Sequence, residues 1–265
     1  MSKTTSQGEP VVLYEKIGHV AVLTLNRPEA MNSLNKEMCL RLREMVEETE
    51  RDHEVRAVII TGKGKKAFCA GIDLRERKSM TGEEVEALRD SVIFPVFCSL
   101  QEMRKPLIGA INGMALGGGA EIAVICDIRV ASQNARFGQT EVKWAIMPAA
   151  GACQRLPAIV GVGRAKEWLL TGNIIDAEEG RTSGLFNRVT SDEDLMSRSM
   201  EIAEAISENG PVAVRQIKRA VNVGTENQTA LAFDREASEA CYHTEDRLEG
   251  VAAFSEKRRP KFLGR

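Results

Sequence analysis

The sequence predicts an α/β protein with a helical C-terminal region. Short apolar runs of strand character alternate with helix-length stretches from residue 11 to about residue 150, the grammar of an α/β core with its ligand loops at strand ends. Beyond Gly151 the pattern is nearly all helix. No low-complexity linker separates the two parts, so the division into a core (1–195) and a helical region (196–265) predicts a region that packs on the core or on a neighbouring subunit.

The elements follow in order. Residues 11–14 and 20–25 are alternating apolar runs around Lys16, Ile17, Gly18 and His19, the pattern of a hairpin. Residues 35–51 place Met38, Leu42, Met45, Val46 and Thr49 at helical spacing with charges between them, which makes an amphipathic helix. A buried strand, 57–60, comes next. The stretch TGKGKKAFCAGID breaks regular structure, and Thr81 with Glu84 offers a capping box to a long helix reaching toward Met103. After Pro106 come a strand at 107–111, a glycine-rich turn, a helix at 118–126, a strand at 128–131 and another at 135–137 that leads into the loop of Glu141. In the helical part a single strand is expected at 185–189. Ser191 is expected to cap a helix ending at Asn209 and Gly210, Pro211 starts the next, and 226–243 and 244–257 supply two more.

Composition narrows the function classes. The 265 residues, 43% apolar, suffice for one sizeable core with an appendage. A formal net charge of -2 leaves no electrostatic footprint for nucleic acid or an anionic membrane. The first residues, MSKTTSQGEP, lack the apolar core of a signal peptide and no apolar run is long enough to span a bilayer, so a cytoplasmic or mitochondrial-matrix protein is expected. Cys39, Cys69, Cys98, Cys126, Cys153 and Cys241 are scattered without a CxxC, mostly among apolar neighbours, as reduced core thiols would be. His19, His53 and His243 lie far apart in polar contexts and signal neither a metal site nor a serine–histidine relay.

Two carboxylates stand out. Glu121 lies in AINGMALGGGAEIAVICDI and Glu141 in RFGQTEVKWAIMPAAG, each in an apolar setting behind a glycine-bearing turn. Carboxylates are rarely buried unless paired or used chemically, so the pair suggests a proton-transfer site. The plainer alternative is that each merely complements a helix N-terminus. The cluster Gly113, Gly117, Gly118 and Gly119 lacks the lysine and hydroxyl of a phosphate-binding loop, and Gly62-Lys63-Gly64-Lys65 fails in the same way. What the cluster supplies is a strand-to-helix turn whose N–H groups can face a ligand, half of an oxyanion hole. Phe68-Cys69-Ala70-Gly71-Ile72-Asp73 offers the other half, or else an ordinary strand-ending turn.

The ordered set AFCAGIDL, KPLIGAINGMALGGGAEIAVICDIRVAS, ARFGQTEVKWAIMP, QRLPAIVG and AAFSEKRRPKF resembles the enoyl-CoA hydratase/isomerase (crotonase) superfamily over almost the whole chain. That resemblance implies a crotonase-like spiral of repeated ββα units, with a C-terminal helical region that builds homotrimers, often stacked as hexamers. It implies an acyl-CoA substrate and no cofactor besides the CoA that the substrate carries, while the charge balance leads us to expect no nucleic-acid or membrane partner. By resemblance, the backbone N–H groups of Ala70 and Gly118 hold the thioester oxygen, Ala70, Gly71, Ile72 and Asp73 line the CoA path, and Phe254 and Lys257 reach the CoA of an adjacent subunit. Members that hydrate generally carry both glutamates, whereas members that only shift a double bond commonly keep one. The presence of both implies a hydratase in which Glu121 holds and activates water and Glu141 delivers the Cα proton.

One stretch departs from the family pattern. Where the family often has a glycine-rich P-G-G-G-G-T-Q-R, this chain reads Pro148-Ala149-Ala150-Gly151-Ala152-Cys153-Gln154-Arg155. The added methyl groups narrow the backbone choices and reshape the acyl pocket, so a branched or cyclic acyl group, methylglutaconyl- or dienoyl-CoA, is the alternative substrate class. Trp144 reads as a core tryptophan, with a pocket wall as the second option. Some family members are RNA-binding scaffolds that use a lysine-rich N-terminal helix. Here residues 35–51 set Lys36, Arg41, Arg43 and Arg51 against Glu37, Glu44, Glu47, Glu48 and Glu50, an acidic balance that argues against that role.

Overall fold

The hairpin forms as two antiparallel strands, β1 (Val12–Ile17) and β2 (Val20–Leu25), with Gly18 at φ +56° in the turn. The computed structural model describes residues 9–225, 239 and 242–261. Helix α1 (Lys36–Arg51) starts at Asn35, whose side chain accepts from the Met38 N–H at 2.9 Å, and it buries the apolar stripe read from the sequence. Strand β3 (Ala57–Gly62) is buried along its whole length. The stretch expected to be irregular contains a short strand, β4 (Ala67–Cys69).

The long helix expected after Thr81 is a composite. Its capping box is present, but α2 (Gly82–Leu88) passes through a π-helical turn, Arg89–Ile93, into α3 (Phe94–Gln101). Pro95 removes one N–H from the hydrogen-bond ladder at the place where the helix widens. Strand β5 (Leu107–Ile111) is followed by β6 (Met114–Leu116), which the sequence reading had merged into the glycine turn, and then by α4 (Gly118–Ile125), β7 (Ile128–Ser132) and β8 (Arg136–Gly138). The rest runs through α5 (Ala152–Val160), α6 (Val162–Thr171), β9 (Ile175–Asp176), α7 (Ala177–Thr182), β10 (Arg188–Thr190), α8 (Leu195–Ser207), α9 (Pro211–Thr225) and a final helix, Glu245–Glu256.

Two sheets result, one ordered β1-β2-β3-β5-β7-β10 and one ordered β4-β6-β8-β9. In the pairs β3/β4, β5/β6 and β7/β8 the first strand joins the larger sheet and the second the smaller, so the chain turns at each repeat and winds as a spiral of ββα units. One face of the larger sheet packs on α1, α3 and α4 through Leu23, Leu42, Val58, Leu100 and Ile122. The other face meets α8, where Leu195 and Ala203 bury against Val22, Ile59, Ile108 and Val130.

Three expectations shift. The strand placed at 185–189 is Arg188–Thr190, because Leu185 and Phe186 are core anchors ahead of it. The helix expected from Ser191 begins at Leu195, since the Ser191 hydroxyl closes a turn by accepting the Asp194 N–H at 3.2 Å. The helix expected at 226–243 lies largely outside the described residues, as does Cys241. Cys39, Cys69 and Cys126 are free and buried, and burial pushes each thiol up to about 12. Among the described residues no helix is long and apolar enough to cross a membrane.

Among the described glycines the tightest approach is at Gly119, where an added Cβ would overlap the carbonyl of Cys69. Gly119→Ala should therefore lower stability by about 1–3 kcal/mol, read as a drop in Tm, because backbone and not a flexible side chain must give way.

Candidate active site

Strand β4 and helix α4 meet backbone to backbone. Gly71 (φ +95°) and Gly117 (φ +51°) both adopt conformations that side chains disfavour, and a Cβ on Gly71 would sit 2.9 Å from the Leu116 carbonyl oxygen and 3.3 Å from the Gly118 nitrogen. The N–H groups of this segment divide clearly. Ala70 donates to the Met31 carbonyl at 3.0 Å and Asp73 to the Leu34 carbonyl at 3.0 Å, while the Gly71 N–H is hydrogen-bonded to the Cys69 sulfur. Among the described residues no protein acceptor is bonded to the Ile72 N–H. Gly118 opens α4, so its N–H is one of the first-turn donors that a helix leaves unpaired.

This accounting corrects one expectation. The Ala70 N–H is spent on Met31, so it is not available to a thioester oxygen, and the donors left facing one another across the glycine contact are Ile72 and Gly118. A strip of apolar and glycine residues does not say in which direction each N–H points, so the sequence placed the donor two residues early.

Helix α4 carries Glu121 in its first turn, and its Oε1 accepts the Ala150 N–H at 2.7 Å. Glu121 is buried. Glu141 opens a 3-10 turn, Glu141–Trp144, and its carboxyl lies beside the Gly117 turn: a Cβ on Gly117 would be 3.5 Å from Oε1. Gln139, buried at 1% exposure, presents its side-chain amide to both Glu141 oxygens at 3.1 and 3.2 Å. Burial pushes the Glu141 carboxyl up to about 7. The residue as a whole is only partly buried because part of it faces the cavity.

Both glutamates, Ile72 and Gly118 line one cavity of about 450 Å³. A second cavity of similar volume lies among α4, α5 and α9, but its one acid, Asp127, is ion-paired with Lys218 at 2.7 Å. The first is therefore the candidate site. Ala70 and Gly71 line it too, as do Ala149 and Ala150 from the departing loop.

Two other expectations change here. Asp73 is not among the lining residues: its carboxylate pairs with Arg27 at 3.0 Å and caps the Arg75 N–H, which makes it a clamp on the loop. Lys257, expected at the CoA of an adjacent subunit, ends the final helix in a left-handed conformation, φ +54°. Trp144 is a pocket wall and not a core residue, and Phe254 of the same chain meets its ring edge-on at 5.0 Å and 88°. Gln139 is a site residue that sequence reasoning missed. Its one signal is a long polar side chain two residues before Glu141 in a glycine-bearing apolar stretch.

Comparison with known proteins accords with this arrangement. Residues 15–265 match the family model for enoyl-CoA hydratase/isomerase. The chain is 46% identical to the short-chain-enoyl-CoA hydratase of Clostridium acetobutylicum, covering 94% of this chain and 95% of that protein. It is 41% identical to the crotonyl-CoA hydratase of Syntrophomonas wolfei, over 96% and 98% of the two chains. The crystal structure of an enoyl-CoA hydratase from Bacillus anthracis superposes with a TM-score of 0.79 at 40% identity, covering 96% of this chain and all of that one. The chain belongs to the enoyl-CoA hydratase/isomerase family.

The raised pKa of Glu141 has a stability signature. Below its ordinary value of 4.5 both folded and unfolded states hold the proton, and as pH rises from there to about 7 only the unfolded state releases it, so wild-type stability falls across that window. Glu141→Gln removes this penalty. Its Tm relative to wild type should climb between about pH 5 and about pH 8, and a difference independent of pH would refute the buried, proton-retaining carboxyl.

Proposed function

We propose, from that family membership, that the chain adds water reversibly across the 2,3 double bond of an enoyl-CoA thioester. One observation carries the reading: buried Glu121, partly buried Glu141 and two backbone N–H groups without acceptors among the described residues line the same cavity. The thioester oxygen accepts from the N–H groups of Ile72 and Gly118, which stabilise the enolate-like charge that develops as water adds; one such donor is worth ~3 kcal/mol. The N-terminus of α4 adds its dipole at the same point. Backbone donors call for small residues and a fixed turn, which is what the glycine contact supplies.

The two acids divide the protons. Glu121, oriented by the Ala150 N–H, takes a proton from the water that attacks C3, and Glu141, with its pKa pushed up to about 7, is protonated in about half the molecules at neutral pH and delivers that proton to C2. The new C–O bond forms at C3, the new C–H bond at C2, and the displaced π electrons pass through the enolate held by the two N–H groups. No cofactor is needed beyond the CoA of the substrate. The CoA path runs past Ala70, Gly71 and Ile72, and exposed Lys143 at the cavity rim supplies a positive charge.

A homotrimer, alone or stacked as a hexamer, and a cytoplasmic location complete the proposal. The assembly is supported by apolar residues left bare on α6 and α9: Leu170 is 73% exposed and Ile217 64%. The deciding assay follows the conjugated thioester absorbance of crotonyl-CoA, which should decay on adding the protein. Glu121→Gln and Glu141→Gln should each lower kcat by roughly a hundredfold or more with the fold intact by circular dichroism. If no enoyl-CoA of any chain length or branching loses its absorbance, the reading is wrong.

A further inference from the structure

The cavity that holds the two glutamates also has a cationic wall that hydration does not use. Arg77, 8% exposed, and Arg89, 3% exposed, both line it together with Tyr242. Arg77 donates from Nη1 to the Tyr242 hydroxyl at 3.2 Å. The Tyr242 ring lies between two guanidinium groups, Arg89 at 4.7 Å and Arg247 at 5.0 Å from its centroid. Arg247 is 7% exposed and stands behind Arg77 in an adjoining cavity of about 360 Å³.

The carboxylates among the described residues are unevenly shared across this wall. Asp90 and Glu239 both bind Arg89, whereas among the described residues Arg77 and Arg247 have no carboxylate partner. Three buried donors, Arg77 Nε, Arg89 Nη1 and Arg247 Nε, have no hydrogen-bond partner among the described residues. Burial lowers the Arg247 pKa, the Tyr242 and Glu86 charges raise it, and the neighbouring cations Arg77 and Arg89 lower it further. Burying guanidinium groups with donors unmade is costly unless a ligand completes them. A carboxylate does so, because its two oxygens match the guanidinium fork.

The place of the cluster says which part of a substrate reaches it. A Cβ on Gly118 would be 3.3 Å from the Phe97 ring, so α3 touches the thioester-binding turn at Phe97. Arg89 lies on the same continuous helical run about 12 Å upstream by helical rise. Lys143 is exposed and the two arginines nearly inaccessible, so within this cavity Arg77 and Arg89 are the lining cations shielded from solvent. We propose that the preferred acyl group ends in a carboxylate, which docks between Arg77 and Arg89 beside the Tyr242 hydroxyl. The enzyme's substrates are then short enoyl-CoAs bearing a distal acid. This placement rests on the hydratase reading only for where the thioester sits.

The test uses two matched pairs on the full-length protein. The reacting pair is glutaconyl-CoA and 2-pentenoyl-CoA, compared by kcat/KM. The saturated pair is glutaryl-CoA and valeryl-CoA, compared by calorimetric Kd. In each pair the carboxylate-ended member should be favoured at least about tenfold, the discrimination expected of a charge-assisted hydrogen bond. Arg77→Met should collapse that ratio, and Arg77→Lys should keep part of it. No preference in the wild-type protein overturns the proposal. So does an Arg77→Met effect equal on both members, which would mark a contact to a CoA phosphate or a purely structural arginine. If Arg77→Met does not fold, the wild-type ratios decide alone. Tight glutaryl-CoA binding without hydration of any thioester would sink the hydratase reading and leave the carboxylate site standing, whereas hydration without carboxylate preference would do the reverse.

Discussion

The site depends on one contact, the bare backbone of Gly119 against the carbonyl of Cys69. With no side chain between them, the end of β4 and the start of α4 approach closely enough to set Ile72 beside Gly118. The rest of the molecule holds that approach in place. Asn32, fully buried at φ +55°, donates to the Ala67 carbonyl at 2.8 Å, Asn112 accepts the Gly62 N–H at 3.0 Å, and the Arg27–Asp73 pair fixes the far side of the loop. The spiral topology has the same effect at larger scale, because β4 and β6 are neighbours in the smaller sheet and deliver their following turns side by side.

Two carboxyls in one cavity are useful only if their surroundings differ. Burial is the dominant influence on Glu141 and favours its protonated form, while Glu121 is oriented by the Ala150 N–H that its Oε1 accepts. The difference comes from secondary structure: one acid sits in the first turn of a helix facing a loop amide, the other in a short turn enclosed by Gln139 and Gly117.

Sequence legibility followed element length and the visibility of backbone direction. Strands and helices of five or more residues with a clear period, such as β2, β5 and α1, were readable because burial sets that period directly. The three-residue strands β4 and β6 were not, since Ala67-Phe68-Cys69 and Met114-Ala115-Leu116 are wholly apolar and too short to show an alternation. Glu121 and Glu141 were legible as charges in apolar company. The donor partner was misplaced from Ile72 to Ala70, because only the three-dimensional fold shows that Met31 takes the Ala70 N–H. Arg77 and Arg89 were invisible for a related reason: in a charged stretch beside a helix cap they look like solvated surface, and only the fold buries them.

The Ala150 amide belongs at once to the loop that walls the acyl pocket and to the hydrogen bond that orients Glu121. Substrate choice and water activation therefore share a backbone segment. An insertion or deletion in that loop would also move the Ala150 amide and, with it, the Glu121 carboxylate, whereas a side-chain exchange at constant loop length leaves that hydrogen bond in place. The alanine-for-glycine pattern between Pro148 and Arg155 is the kind of change such a constraint permits.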